Sequence, residues 1–275
     1  MICPLCTAPL DATQRVGRTT MLACSACSAV VTPPQDRADA STVYANDYAL
    51  SSFAAASAER YRFFRFPEMQ SLVADVLRVE PAPTSWLDVG CDRGYFLDEL
   101  RRRGLRVAGV EPASQARAYA RMVGLDVADS MMRVEGVFDG LSLFHVLEHV
   151  PEPVPFLASC LEKLTPQGLL YIRVPDFTTI WRTIFGHRWI WFQPHLHAVH
   201  YSPKALRLLL ERSGFTVLWL KQRRPNTLAT RRAYRLANDV FARTGQHVRP
   251  RFRDQCARLY QDVTGIEIAC LARKA

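Results

Sequence analysis

From Trp86 onward, short apolar runs alternate with longer amphipathic stretches, and glycine or proline marks several of the joins. The run Trp86-Leu-Asp-Val-Gly reads as a strand that breaks on two glycines and restarts as a helix over 95–103, ending at Gly104. A second strand follows through Leu105 to Val110. The pattern then predicts a helix over 114–123, strands near Asp126 to Ala128 and at Gly140 to Phe144, a helix from Pro153 to Leu164, and a strand at Leu169 to Val174. A helix from Pro203 to Ser213 stops at Gly214 and feeds a strand from Phe215 to Leu220. Leu228, Ala233, Ala237 and Phe241 recur at helical spacing, as do Phe252, Cys256, Leu259 and Val263, before a closing strand from Ile266 to Ala272. The alternation predicts a doubly wound α/β domain over 85–275, with a helical insertion at about 223–263 before the last strand.

Upstream the pattern changes. Residues 35–84 read as a polar linker followed by entry helices rich in aromatics, among them Tyr44, Tyr48, Phe53 and Tyr61, and Pro81-Ala-Pro83 ends them. These rings either pack the entry helices onto the sheet or, in the case of Tyr44 and Tyr48, cap a ligand pocket. Residues 1–34 carry Cys3-Pro-Leu-Cys6 and Cys24-Ser-Ala-Cys27, two Cys-x-x-Cys knuckles at the separation of a four-thiolate zinc site. Four thiolates close a tetrahedron and leave no open position, so this reads as a structural zinc ribbon that depends on its metal to fold. Cys91, Cys160, Cys256 and Cys270 sit among apolar neighbours as small core residues.

The turn after the first strand carries the cofactor signal. Strand, glycine turn, helix, strand and an acid at Glu111, about twenty residues past the first glycine, form a nucleotide cradle in which the acid holds a ribose. A pyrophosphate needs glycine where backbone and phosphate meet, yet Asp88 stands at the entrance of this turn and Asp92 inside it. S-adenosylmethionine (SAM) has no phosphate, and its ammonium and sulfonium tolerate carboxylates. From Trp86 to Lys221 the chain resembles the class I SAM-dependent methyltransferases: Leu87 to Gly94 is similar to their glycine loop, Val110-Glu111-Pro112 to their ribose-binding acid, and Phe138-Asp139 to His149 to their fourth strand and turn. Asp92 departs from the usual second glycine. The resemblance implies a Rossmann-like, seven-stranded methyltransferase sheet, with Asp88, Gly90, Cys91, Asp92, Gly94, Glu111 and His145 on the cofactor side.

The turn Phe144-His-Val-Leu-Glu-His-Val-Pro151 places His145, Glu148 and His149 at the carboxyl end of a central strand. His149 either serves methyl transfer, as general base or by aligning the acceptor, or makes a structural hydrogen bond. The segment Trp189 to Pro203 holds Trp191, His195, His197 and His200 and stands where the acceptor pocket is roofed; Trp191 and His197 join Tyr44 and Tyr48 as acceptor-side candidates. Glu148, His149 and His195 are similar to the metal ligands of ubiquinone-pathway O-methyltransferases and small-RNA 2'-O-methyltransferases, with His145 in place of their first glutamate. That similarity implies a second divalent metal on Glu148, His149 and His195, and imidazoles suit zinc, iron or manganese better than magnesium. Direct base catalysis by His149 or His195, with Glu148 beside them, is the expectation placed ahead of that metal.

Composition narrows the partners. The 275 residues, 49% hydrophobic, contain no apolar run long enough to span a bilayer, and Met-Ile-Cys-Pro is neither a basic leader nor an apolar signal, so the cytoplasm is the expected compartment. The charge of +9 concentrates between Lys221 and Arg258, a basic surface for RNA, lipid or phosphate, or a solvated helix face. The knuckles, the Leu-Glu-His turn and the Pro-His-Leu loop resemble zinc-ribbon methyltransferases of sugar and secondary-metabolite pathways. The expected acceptor is therefore a hydroxyl or carbon of a small polar molecule. RNA is the second expectation, with Arg223, Arg224, Arg231, Arg232 and Arg235 on phosphates, although only Arg15 and Arg18 lie between the knuckles. A SAM-binding protein without catalysis is the third.

Overall fold

The computed structural model describes residues 1–16, 18–38, 69–189, 191–223 and 266–275. Tyr44 and Tyr48, with their aromatic segment, and the insertion beyond Arg223 lie outside the described residues. Eleven strands form two sheets among the described residues. β1 (Ala12–Val16), β2 (Thr19–Ala23), β3 (Val30–Val31) and β9 (Val199–His200) make a small antiparallel sheet. The seven-stranded sheet has the order β10-β11-β8-β7-β4-β5-β6, made of β4 (Ser85–Val89), β5 (Arg106–Val110), β6 (Val127–Ala128), β7 (Phe138–Phe144), β8 (Leu164–Pro175), β10 (Phe215–Arg223) and β11 (Glu267–Lys274). β6 to β8 run parallel with β4 and β5, and β11 runs antiparallel between β8 and β10. This is the expected doubly wound fold.

The central strands are buried on both faces, which is why their sequences read as continuous apolar runs. Alternate residues serve opposite layers: Leu87, Val89, Leu141, Leu143 and Ile172 share one core with Leu206 and Leu209, whereas Trp86, Leu169, Tyr171 and Leu271 share the other with Phe96 and Leu100. The helices follow local rules. Pro203–Arg212 begins with Ser202 Oγ accepting from the Ala205 N–H at 3.0 Å and proline in its first turn, then buries Leu206, Leu209 and Leu210. The helices Tyr95–Arg101, Ser114–Met122 and Pro153–Glu162 each stop one or two residues short of the sequence expectation.

Two differences matter. β8 starts at Leu164, five residues before the strand predicted at Leu169, because a turn with Gln167 at φ 64° lets the chain resume the same strand. The segment after Trp189, expected only as a roof, contains β9, which crosses to the N-terminal sheet. Among the described residues no helix is long and apolar enough to cross a membrane.

The sheet is tightest where β4 meets β7. Trp86 lies opposite Gly140, and a Cβ at Gly140 would come within 2.0 Å of the indole ring. The Trp86 Nε1–H donates to Ser142 Oγ at 2.9 Å. Gly140→Ala should therefore lower unfolding stability by about 2 kcal/mol or more, because neither the backbone nor the buried ring can move aside. A chemical-denaturation midpoint equal to that of the parent would show that the ring has room.

Candidate active site

Strand order reverses around β4: β5 lies on one side and β7 on the other, which opens a crevice at their carboxyl ends. Gly90 and Gly94 take positive φ values of 76° and 75°, and a Cβ would lie 2.5 Å from Val146 Cγ2 at Gly90 and 2.2 Å from Leu125 Cδ1 at Gly94. Both conformation and space require glycine there. Asp92 also sits in the left-handed region, at φ 49°, which aspartate tolerates better than most residues. The N–H groups of Gly90 and Cys91 both donate to the Val110 carbonyl, at 2.8 and 3.0 Å, tying the turn to the end of β5. Cys91 is buried, and its thiol is pushed up by burial and the surrounding carboxylates, so it contributes packing and backbone to the cradle.

Three carboxylates gather here. Glu111 is buried and accepts from the Asp92 N–H at 2.9 Å and the Ala113 N–H at 2.8 Å, which fixes its headgroup against the glycine turn. Burial raises its pKa, partly offset by those N–H groups. Asp88 accepts from the Ser142 hydroxyl and is pushed up to about 7 by burial, a rise that Ser142 moderates and the charges of Glu111 and Asp92 reinforce. Such a set fits a cationic ligand with ribose hydroxyls and repels a diphosphate, as the residues of the turn predict.

The second wall is the turn after β7. His145 has φ 57°, and its backbone N–H donates to the Arg173 carbonyl at 2.9 Å. Its ring bridges two acids, Nδ1 to Glu148 Oε1 at 3.3 Å and Nε2 to Glu267 Oε1 at 3.1 Å, and stacks on Trp191 at 4.8 Å and 10°. Arg173 in turn holds Glu267, with Nε to Oε2 at 2.7 Å. Burial alone would lower the pKa of His145, but Glu267 and Glu148 outweigh it and hold it at about 9, so an imidazolium stands at this position. The structure thus ties His145 into an ion-pair chain. Sequence reading passed over Arg173 and Glu267, although each is a lone charge inside an apolar strand, the one signal that marks a buried charge with a partner.

Glu148, His149 and His197 converge: one donor atom from each lies within 4.8 Å of the others. Glu148 Oε2 is buried without a hydrogen-bond partner, an arrangement that costs free energy unless a ligand completes it. His149 Nδ1 lies 3.2 Å from the Leu196 carbonyl, which only accepts, so Nδ1 donates there and, in the neutral ring, the lone pair is on Nε2. His197 is held well below the usual histidine range by burial and by its histidine neighbours, hence neutral with a lone pair to offer. One carboxylate and two imidazoles suit a divalent transition metal. This corrects the expected set: His195 is exposed, with its carbonyl accepting from the Ala38 N–H at 2.8 Å, and the tight turn from Gln193 brings His197 inward in its place. Trp191 lies at the site on the far side of His145, and Tyr44 and Tyr48 fall outside the described residues.

The four N-terminal cysteines also converge, Cys3 Sγ to Cys27 Sγ at 3.6 Å and Cys6 Sγ to Cys24 Sγ at 3.5 Å. A tetrahedral zinc with bonds of about 2.3 Å needs sulfurs about 3.8 Å apart. The two knuckles share one geometry, since Thr7 and Ser28 each follow the first cysteine of their pair by four residues and both take left-handed φ. The thiols therefore fit zinc.

Asp88 sets a testable linkage. Its folded pKa lies above the ordinary 3.8, so between about pH 4 and pH 7 the folded state holds more protons than the unfolded one and stability falls as pH rises, the loss being complete above about 7. Asp88→Asn should raise the melting temperature of the ligand-free protein by a few degrees at about pH 8 and by less at about pH 5. An equal effect at both values would mean that Asp88 is ionised throughout.

The family model described as a methyltransferase domain matches residues 61–220. A ubiquinone biosynthesis O-methyltransferase from Nitrosococcus oceani is 35% identical over 134 residues, 45% of this chain and 51% of the relative. The chain thus spans about half the length of the curated relatives it matches. Among solved structures, a cyclopropane synthase from Mycobacterium tuberculosis superposes with a TM-score of 0.53 at 16% identity, covering 76% of this chain and 84% of that one. The magnesium protoporphyrin IX methyltransferase from Synechocystis, solved with bound SAM, gives 0.52 at 13% identity, covering 86% and 98%. With its glycine turn, the buried acid after β5 and the strand order in place, this chain belongs to the methyltransferase-domain family and has the class I SAM-dependent methyltransferase fold.

Proposed function

We propose that this chain transfers the methyl group of SAM to a hydroxyl of a small polar acceptor, of the kind found among sugars, glycan precursors and secondary metabolites. SAM supplies an activated methyl, and Asp88, Glu111 and the turn from Gly90 to Gly94 are the residues that would hold it. The observation that carries the hydroxyl reading is the meeting of Glu148, His149 and His197, with Glu148 Oε2 buried and unsatisfied. A divalent cation on those side chains would lower the pKa of an acceptor hydroxyl. The similarity to ubiquinone O-methyltransferases, which act on oxygen by name, supports the same assignment. His145, held as an imidazolium between Glu148 and Glu267, keeps Glu148 oriented, and its stack on Trp191 offers a flat wall for a ring.

A second reading rests on the Leu196 carbonyl, which fixes the His149 tautomer with its lone pair on Nε2. In that case His149 takes the acceptor proton directly, as a general base. We read the N-terminal knuckles as a structural zinc site and residues 1–34 as the ribbon around it.

Methyl-labelled SAM incubated with fractionated small polar metabolites and with RNA should put label into the small hydroxyl-bearing material. Chelation should then reduce the rate by about a hundredfold, and manganese should restore it better than magnesium. His197→Ala should lower kcat by a similar factor while SAM affinity stays within about twofold. Full activity after chelation would establish His149 as the base; label in RNA alone would overturn the small-acceptor reading.

A further inference from the structure

The ribbon is built into the acceptor side of the crevice. β3 pairs with β9, placing Val30 opposite His200 and Val31 opposite Val199, so the last strand of the small sheet comes from the segment that carries His197. Next to this ladder the Thr32 N–H donates to the Ala198 carbonyl at 3.0 Å, and Thr32 Oγ1 meets His200 Nε2 at 3.2 Å, both groups buried. On its other side the same segment holds the catalytic turn: the Ala198 N–H donates to the Glu148 carbonyl at 2.8 Å, and the Leu196 carbonyl fixes His149. A single extended segment is thus bonded to the ribbon along one edge and to Glu148 and His149 along the other.

Packing agrees on both faces of the ribbon. Cys3, Leu5, Cys24, Cys27 and Ala29 belong to the same buried cluster as Leu147, Val199 and Tyr201. Val16, Met21 and Val30 form a separate cluster with Phe177, Trp189 and Phe192, the base of the acceptor roof. Lys204 Nζ reaches the Ala26 carbonyl inside the second knuckle at 3.0 Å. None of the hydrogen bonds named here involves Asp88, Glu111 or residues 90–94.

We propose that metal in the Cys3, Cys6, Cys24 and Cys27 site positions His197 through the β3–β9 ladder and the Thr32–His200 contact, so that losing it disables the acceptor half of the active site and spares SAM binding. The physical reason is size. A ribbon of this length has too little core to hold β3 straight without the tetrahedral crosslink, and β9, two residues long, has no other strand to pair with among the described residues. Thr32 and His200 are positioning residues. The word acceptor rests on the function proposed above, but the structural claim does not.

The test uses the full chain, its zinc measured and then removed with a thiol-reactive mercurial and chelator. Backbone hydrogen exchange in 196–201 should quicken by about tenfold or more, while SAM affinity by calorimetry holds within about twofold. Thr32→Val should reproduce the faster exchange with zinc content unchanged, and Thr32→Ser, which keeps the hydroxyl, should restore protection. Three results would overturn the proposal: protection of 196–201 that survives zinc loss, SAM affinity that falls in step with it, or a chain that takes up no zinc. Changed exchange in a protein with no activity on any acceptor would keep this inference and remove the functional one.

Discussion

The parallel register of β4 against β7 is the constraint on which the site depends. It sets Trp86 opposite Gly140 and Asp88 opposite Ser142, and the close fit of the indole over a residue without a side chain allows no slip. Because the two strands are held in step, their carboxyl ends reach the crevice together, one delivering the glycine turn and the other the turn with His145, Glu148 and His149. The indole N–H, the Ser142 hydroxyl and the Asp88 carboxylate form one chain of hydrogen bonds, so the contact that locks the sheet also orients the acid at the end of β4.

Charge is arranged differently on the two walls. Around the glycine turn burial pushes Asp88 and Glu111 toward neutrality, and at Glu111 two backbone N–H groups and the nearby Arg117 oppose that rise. On the other wall Arg173, Glu267, His145 and Glu148 alternate in sign along a buried chain that crosses from β8 and β11 to the turn after β7. Such a chain adds little net stability once desolvation is counted, but it fixes geometry, since any member moved would leave a buried charge unpaired. Its end point is Glu148, with one oxygen satisfied and the other not. That asymmetry singles out this corner as a place for a ligand.

The N-terminal ribbon, which reads in the sequence as an appendage, is in the structure part of the wall. Its sheet is completed by β9, and its two faces contribute to two clusters of the larger domain. The consequence falls on one segment, 196–201, where the edge of the N-terminal sheet and the turn after β7 bond to the same backbone.

Much of this was legible in the residues alone. The apolar runs, glycines and proline starts specify a doubly wound sheet, because local period and turn chemistry depend on near neighbours. For the same reason the cradle with Asp88, Gly90, Gly94 and Glu111 could be read from spacing, as could the two cysteine knuckles. What spacing does not contain is which residue of a loop turns inward: His195 and His197 differ by two positions in a stretch with no regular period, and only the turn at Gln193 and the pairing of β9 bury the second and expose the first. Arg173 and Glu267 carry a visible signal, a lone charge in an apolar strand, but their shared target needs β11 inserted beside β8, a contact between residues 94 positions apart. The sequence by itself determined the fold and the kind of cofactor. The tertiary structure decided which histidine meets Glu148 and His149 and what holds it there, because those choices rest on long-range pairing.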